Sequence, residues 1–224
     1  MSTLEIMPQR ETVPRGRHAP PLEVRLDRQR RRLFAAAATV FTRCGYADAT
    51  AEGIAREAGM SKATFYEHFD NKEDCIIALF DAAMETLFSA MGEGSEVDPN
   101  VEPIDRYRRN IGMFLAGLAA FPDTAQTRLV EIVGACPRAM ERRDRVFNAF
   151  SQFIYERNRV DAEAGRAPRF ASADATYAVV GAIAELAARQ LRCGRAEQIQ
   201  ELEPVLERLV RGLLLTAEQQ PASA

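Results

Sequence analysis

The sequence predicts an all-α protein: a compact three-helix unit near the N-terminus, followed by a larger helical domain. Three observations carry this expectation. Apolar residues recur at spacings of three and four along most of the 224 residues, without the sustained alternation that marks a strand. Glycine, proline and capping residues fall where helices should stop and start. Between Thr50 and Phe69 two very short helical stretches are separated only by a Gly59-Met60 turn.

Residues 1–22 contain Pro8, Pro14, Gly16, Pro20 and Pro21 with little periodic apolar character, and read as a flexible basic arm. The first helix is expected from about Val24 to Cys44, with Leu26, Leu33, Phe34, Ala37, Ala38 and Phe41 on its apolar face and Gly45 as its stop. Thr50 is a natural N-cap for a helix through Ala58, and Ser61 for one from Lys62 to about Phe69. Lys72 opens a longer amphipathic helix to about Met91, and Gly92–Val101 reads as a loop. Further helices are expected at Pro103–Phe121, Asp123–Ala135, Pro137–Ala164, Ser172–Cys193 and Arg195–Thr216. Pro137 suits a first helical turn, where its missing N–H is not needed. The resulting division is an arm at 1–22, a small helical unit at 23–71, a larger helical domain at 72–218 and a tail at 219–224.

Composition narrows the class. With 47% apolar and 27% charged residues the chain has material for a sizeable core. No apolar run reaches the roughly 18–20 residues of a membrane span, and no apolar stretch follows the N-terminal arginines as a secretory signal requires. A cytoplasmic protein without a membrane partner is therefore expected. Cys44, Cys75, Cys136 and Cys193 are far apart, and His18 and His68 are the only histidines, so no metal site or other cofactor is expected. The cysteines read as small buried hydrophobes. Net charge is −3, yet the span from Arg10 to Arg43 holds nine arginines and three acids. Such asymmetry suits a molecule of which one end meets a polyanion.

Two short helices joined by a tight glycine turn form a DNA-reading unit when the second is capped and polar on one side. Phe65 and Phe69, four apart, share a face that packs inward. Lys62, Ala63, Tyr66 and Glu67 then point outward, with Thr64 and His68 on a flank. Ala63 and Thr64 are small enough for close approach to base edges. Lys62 suits base acceptors and Glu67 the cytosine amino group. Tyr66, His68 and Lys72 suit phosphates, as does the positive end of the helix that Lys72 begins. Arg28, among Arg25, Arg30, Arg31 and Arg32, lies where an arm tracks phosphates or enters a minor groove. The alternative for these arginines is a solvated helix start.

The stretch Gly45-Tyr46-Ala47-Asp48-Ala49-Thr50, followed by Ile54-Ala55-Arg56-Glu57-Ala58-Gly59-Met60-Ser61-Lys62-Ala63-Thr64-Phe65-Tyr66-Glu67-His68-Phe69-Asp70-Asn71-Lys72-Glu73, resembles the N-terminal domain of TetR-type regulators. The resemblance covers about fifty residues. It departs from the pattern at Met60, where valine is commoner, and at Gly53, which costs a helix interior about 1 kcal/mol relative to alanine. It implies a helix-turn-helix head, a linking fourth helix, a helical ligand-binding and dimerisation domain, and repression relieved by a small hydrophobic or amphipathic molecule. Carried over by position, Thr50, Lys62, Thr64, Tyr66, His68 and Lys72 become DNA contacts.

The last two helices carry broad apolar stripes. Val180, Ile183, Leu186 and Leu191, then Leu202, Leu206, Leu209 and Leu213, suit a four-helix interface between two copies. A homodimer also matches the two-fold symmetry of a palindromic operator in double-stranded DNA. An effector cavity, which the resemblance implies, would draw on Phe114, Leu118, Phe121, Val133, Phe150, Phe153 and Tyr177. Aromatic faces at these spacings equally describe core. Glu131 and Glu185 either orient a cationic or hydrogen-bonding ligand or lie on solvated helix faces. No G-x-S-x-G, P-loop, H-E-x-x-H or dinucleotide glycine pattern is present, so no enzyme is expected. The remaining rival is a helical protein-interaction module without a DNA role.

Overall fold

The computed structural model describes residues 21–93 and 101–217, and every regular element among them is helical. Residues 1–20 of the arm assigned to 1–22, most of the loop before Val101 and the tail at 219–224 lie outside the described residues. The first three helices are α1 (Leu22–Asp48), α2 (Ala51–Glu57) and α3 (Lys62–His68). They are followed by α4 (Lys72–Glu93), α5 (Pro103–Ala120), α6 (Pro122–Gln126), a π turn (Thr127–Glu131) and α7 (Ile132–Ala135). The chain ends in α8 (Pro137–Glu163), α9 (Ala173–Arg192), a 3-10 turn (Ala196–Leu202) and α10 (Glu203–Ala217). No helix in the described residues is long and apolar enough to cross a membrane.

The small unit at the N-terminal end is built by local signals. Leu33, Ala37 and Phe41 recur every four residues on α1 and are completely buried, as a single helix stripe facing a core must be. Gly45 adopts φ 75° and ψ 163°, which breaks the helical run and turns the chain toward α2. A side chain is strained at that φ. The Thr50 hydroxyl accepts the Gly53 N–H at 3.0 Å and the Ser61 hydroxyl accepts the Thr64 N–H at 3.0 Å, so both short helices start on side-chain caps. Ile54 and Phe65 fill the space between α1, α2 and α3. Their core continues without a break through Ile76 and Phe80 of α4 to Ile132, Ala139 and Phe150. The head is therefore packed into the body, not strung from it.

The body has a second core, made by Leu115 and Leu118 of α5, Phe170, Val179 of α9, Ile199, and Leu206 and Val210 of α10. Buried polar groups fix its helices. The Ser151 hydroxyl donates to the Ala173 carbonyl at 2.9 Å and the Thr176 hydroxyl to the Ser151 carbonyl at 3.0 Å, which ties α8 to α9. Asn158 is fully buried. Its amide donates to the Pro168 carbonyl and its oxygen accepts the Phe170 N–H, which pins the connection between the two helices. Arg108 reaches Glu207 through two nitrogens at 2.9 and 2.8 Å and so joins α5 to α10.

Two expected helices are interrupted. The helix expected at 123–135 contains the π turn, whose extra residue no apolar period reveals. The Thr127 hydroxyl bonds the Asp123 carbonyl one turn back at 3.0 Å, a side-chain contact that competes with regular helix bonding. The helix expected at 195–216 begins as a 3-10 turn and becomes α-helical only at Glu203. Pro204 then stands in the first turn of α10, where its missing N–H and its ring do no harm.

The cysteines divide. Cys75 is buried and burial pushes its thiol up to about 12, while Cys136 caps α8 by accepting the Ala139 N–H. Cys44 and Cys193 are exposed, contrary to the expectation of four buried thiols, because each stands at the last turn of its helix where the apolar face has run out.

Leu191, Leu202 and Leu206, expected at a surface between two copies, are 8%, 6% and 0% exposed within their own subunit. They are core residues here. Leu206→Ala is expected to lower the unfolding free energy by about 2–5 kcal/mol, read as a fall in the urea midpoint; an unchanged midpoint would contradict this packing.

Candidate nucleic-acid interface and ligand cavity

The head presents α3 outward. Lys62, Ala63, Tyr66 and Glu67 are exposed, while Phe65 and Phe69 are buried beneath them. The inner side of α3 is fixed by aromatic packing: Phe65 and Phe69 lie 5.4 Å apart between ring centroids, and Phe34 of α1 lies 5.7 Å from Phe69. Arg30 sits over both the Phe34 and Phe69 rings, at 5.2 and 5.3 Å. Arg32 donates to the Ala58 carbonyl at 2.7 Å, closing the end of α2 onto α1. These two arginines of the basic stretch are therefore structural fasteners, and Arg31 pairs with Asp27. Arg25 and Arg28 are exposed and have no carboxylate partner among the described residues. Arg56 on α2 is exposed in the same way, a cation that the sequence pattern did not single out.

Three expected contact residues have internal duties. Thr50 caps α2. Thr64 is half-buried, its hydroxyl 3.0 Å from that of Ser61. The His68 ring turns toward α1, with Nε2 3.3 Å from the Gln29 side-chain oxygen. Burial, and then the nearby Arg30 charge, lower its pKa from the ordinary 6.5, with Glu67 opposing.

Lys72 shows the largest difference between expectation and structure. Its ammonium donates to the carbonyls of Tyr46, Ala47 and Ala49 at 2.8, 2.8 and 3.0 Å, and lies 4.5 Å from the centre of the Tyr46 ring. A phosphate anchor was expected. The structure instead gives the charge to three carbonyls that the kink at Gly45 leaves without helical partners. The Tyr46 N–H completes the joint by donating to Glu131 Oε2 at 3.0 Å. Thr39 donates to the Asp123 carboxylate at 3.1 Å, so α1 is held to the body at a second point.

Behind the head lies a cavity of about 140 Å³. Its walls come from α4, α5, the π turn, α8, the α8–α9 connection, α9 and α10, with Phe80, Phe114, Phe147, Phe150, Phe170 and Ile183 among them. Of the expected lining, Phe114, Phe150 and Phe153 are present. Leu118 is buried in the second core instead, and Tyr177 packs edge-on to Phe147 at 6.4 Å without reaching the space. Phe121 is 63% exposed because it ends α5 at φ −134°, where the chain has left the helical face. Val133 is 47% exposed because the π turn rotates the helix phase ahead of it, and Leu129 takes the inward place. Val180 and Ile183, expected between two copies, line the cavity. Leu186, Leu209 and Leu213 are half-buried. Among the described residues no group of His, Cys, Asp and Glu is arranged to hold a metal.

Two outcomes follow for the head. Lys72→Met is expected to cost about 1–2 kcal/mol in urea unfolding, as three carbonyls lose a charged donor; unfolding at the wild-type urea concentration would contradict the clasp. For His68 the fold prefers the neutral ring. The unfolded chain then binds its proton at higher pH than the folded one, so this contribution is complete above 6.5 and is lost as pH falls below that value. The melting temperature of the wild type is expected to fall more than that of His68→Gln between pH 7.5 and 5.5, and parallel pH profiles would contradict it.

The comparisons with known proteins agree with this geometry. Residues 33–79 match the model of bacterial regulatory proteins, tetR family. An HTH-type transcriptional regulator, EthR of Mycolicibacterium smegmatis, is 30% identical over 81 residues, which is 36% of this chain and 37% of that protein. The chain thus aligns with well under half of that relative's length. Among solved structures, the fatty acid degradation regulator FadR of Bacillus halodurans superposes with a TM-score of 0.74 at 20% identity, covering 82% of this chain and 95% of that one. FadR of Bacillus subtilis, solved in complex with stearoyl-CoA, gives 0.71 at 17% identity over 80% and 96% of the two chains. Residues 33–79 thus match the tetR-family head, and the chain shares the fold of these two solved regulators.

Proposed function

We propose that the protein is a cytoplasmic, sequence-specific DNA-binding transcriptional regulator. It acts as a homodimer on a palindromic operator, and a small apolar or amphipathic molecule in the cavity releases it. The observation that carries this reading is α3 itself: a helix capped by Ser61 and fastened underneath by Phe65, Phe69 and Arg30, which shows Lys62, Ala63, Tyr66 and Glu67 to solvent. A side chain that reads a base edge must be held by a rigid support, and this helix has one. Arg28 and Arg56 supply positive charge on the neighbouring helices for the phosphates.

The route from cavity to head is short. Leu129 in the cavity wall and Glu131 on the Tyr46 N–H belong to the same π turn. A ligand that shifts this turn acts directly on the joint that aims α2 and α3. The complex of Bacillus subtilis FadR with stearoyl-CoA supports a ligand-responsive body on this fold. The half-buried Leu186, Leu209 and Leu213 on α9 and α10 are the members of the apolar stripes that keep surface for a second copy.

The test uses Lys62→Ala with Tyr66→Ala, both exposed. Operator affinity is expected to fall at least 100-fold, since each lost base or phosphate contact is worth about 1–3 kcal/mol. The melting temperature and elution volume are expected to stay those of the wild type. Undiminished operator binding by the double variant would sink the assignment of α3.

A further inference from the structure

We infer that the cavity selects an amphipathic anion, with its apolar tail among the phenylalanines and its carboxylate or phosphate at Arg157. This rests on the cavity being the effector site, and it adds the charge of the effector. The walls are apolar except for Arg106, Tyr107 and Asn110 of α5 and Arg157 of α8.

The charges at this end do not balance. Asp161 is fully buried and bonds Arg106. The same carboxylate also takes Arg166, at 2.7 Å. One negative charge therefore serves two guanidiniums. Arg157 gets no share of it. Its Nη2 is buried without a hydrogen-bond partner, and among the described residues no carboxylate lies within ion-pair distance of it. The Tyr107 hydroxyl, also lining the cavity, is likewise buried, with Asn158 and Arg106 beside it but neither in full hydrogen-bond geometry. Burial pushes it up to about 12, so it remains a proton donor at neutral pH. A guanidinium nitrogen without a partner and a hydroxyl only loosely bonded, both buried at the end of an apolar space, are unfavourable until something answers both. A carboxylate or phosphate accepts from both, and the cation then gains a charge-assisted bond.

Glu131 and Glu185, the acids that were candidates for orienting a cation, are both engaged elsewhere. Glu131 holds the Tyr46 N–H and Glu185 pairs with Arg192 at the surface. The walls facing the space contribute arginines and no free acid. A cavity of about 140 Å³ matches the size of engineered cavities of roughly 150 Å³ that bind benzene. A short chain or a single ring therefore fits, and a broad ring system does not.

The experiment measures binding directly, by calorimetry and thermal shift, apart from any effect on DNA. The probes are octanoate, octan-1-ol with the same tail and no charge, and octanoyl-coenzyme A. Octanoate or octanoyl-coenzyme A is expected to bind the wild type about ten- to a hundredfold more tightly than octanol. Binding of octanoate places a carboxylate at Arg157, whereas binding of the coenzyme A ester alone places a phosphate there. Arg157→Gln is expected to abolish the preference over octanol, while Arg157→Lys, which keeps the charge, retains most of it. Equal binding of octanol and both anions to the wild type, or an anion preference that survives in folded Arg157→Gln, overturns the inference. Anion binding that leaves operator affinity unchanged contradicts the proposed effector role and leaves the anion site standing.

Discussion

The structure depends on the joint at Gly45. There the helical run of α1 is broken, the backbone turns at φ 75°, and five residues later Thr50 caps α2. The intervening peptide groups cannot bond within a helix, and an unpaired backbone group costs about 1–3 kcal/mol when buried. Lys72 answers three of the carbonyls and Glu131 answers the Tyr46 N–H. Neither residue belongs to α1, α2 or α3. The angle at which the reading helix leaves α1 is therefore set by the first residue of α4 and by the π turn, both continuous with the body.

This arrangement explains why the head and the body share one core. A head hung on a free linker would not register a ligand in the body. Here Ile76 and Phe80 of α4 pack with Phe41 and Phe65 on one side and Ile132 and Phe150 on the other, and Phe80 also touches the cavity. Close-packed side chains transmit a displacement because the interior has little room to absorb it. The π turn adds a polar route beside the packed one, with Leu129 toward the cavity and Glu131 toward Tyr46. Elsewhere the body is made stiff by buried polar ties, Ser151 with Thr176 and Asn158 with the 168–170 backbone.

Much of the head was legible in the sequence because its signals are local. A cap is recognised from one residue and its successor three along, and Thr50 and Ser61 both act as caps. Glycine at a stop is equally local, and Gly45 and Gly59 both have positive φ. The outward face of α3 followed from a single helical period anchored by Phe65 and Phe69. The cavity was far less legible. Its lining depends on which faces of seven segments meet, and one inserted residue in the π turn turns Val133 out and Leu129 in. Lys72 is ambiguous in sequence because a cation at a helix start has the same appearance whether its partner is a phosphate or a carbonyl across the fold. Arg157 is one arginine among several on α8 and shows nothing in sequence; what sets it apart is a buried Nη2 without a partner, which only the packed fold reveals.

The central claim is that α3 reads base sequence on a two-fold symmetric site. The most direct measurement is selection from a random duplex library by the intact protein, followed by footprinting of the enriched sequence. The expected result is an inverted repeat whose half-sites lie about one helical turn apart, roughly 10 base pairs centre to centre. Equal retention of all sequences, weakening with salt and leaving no footprint, would contradict the claim.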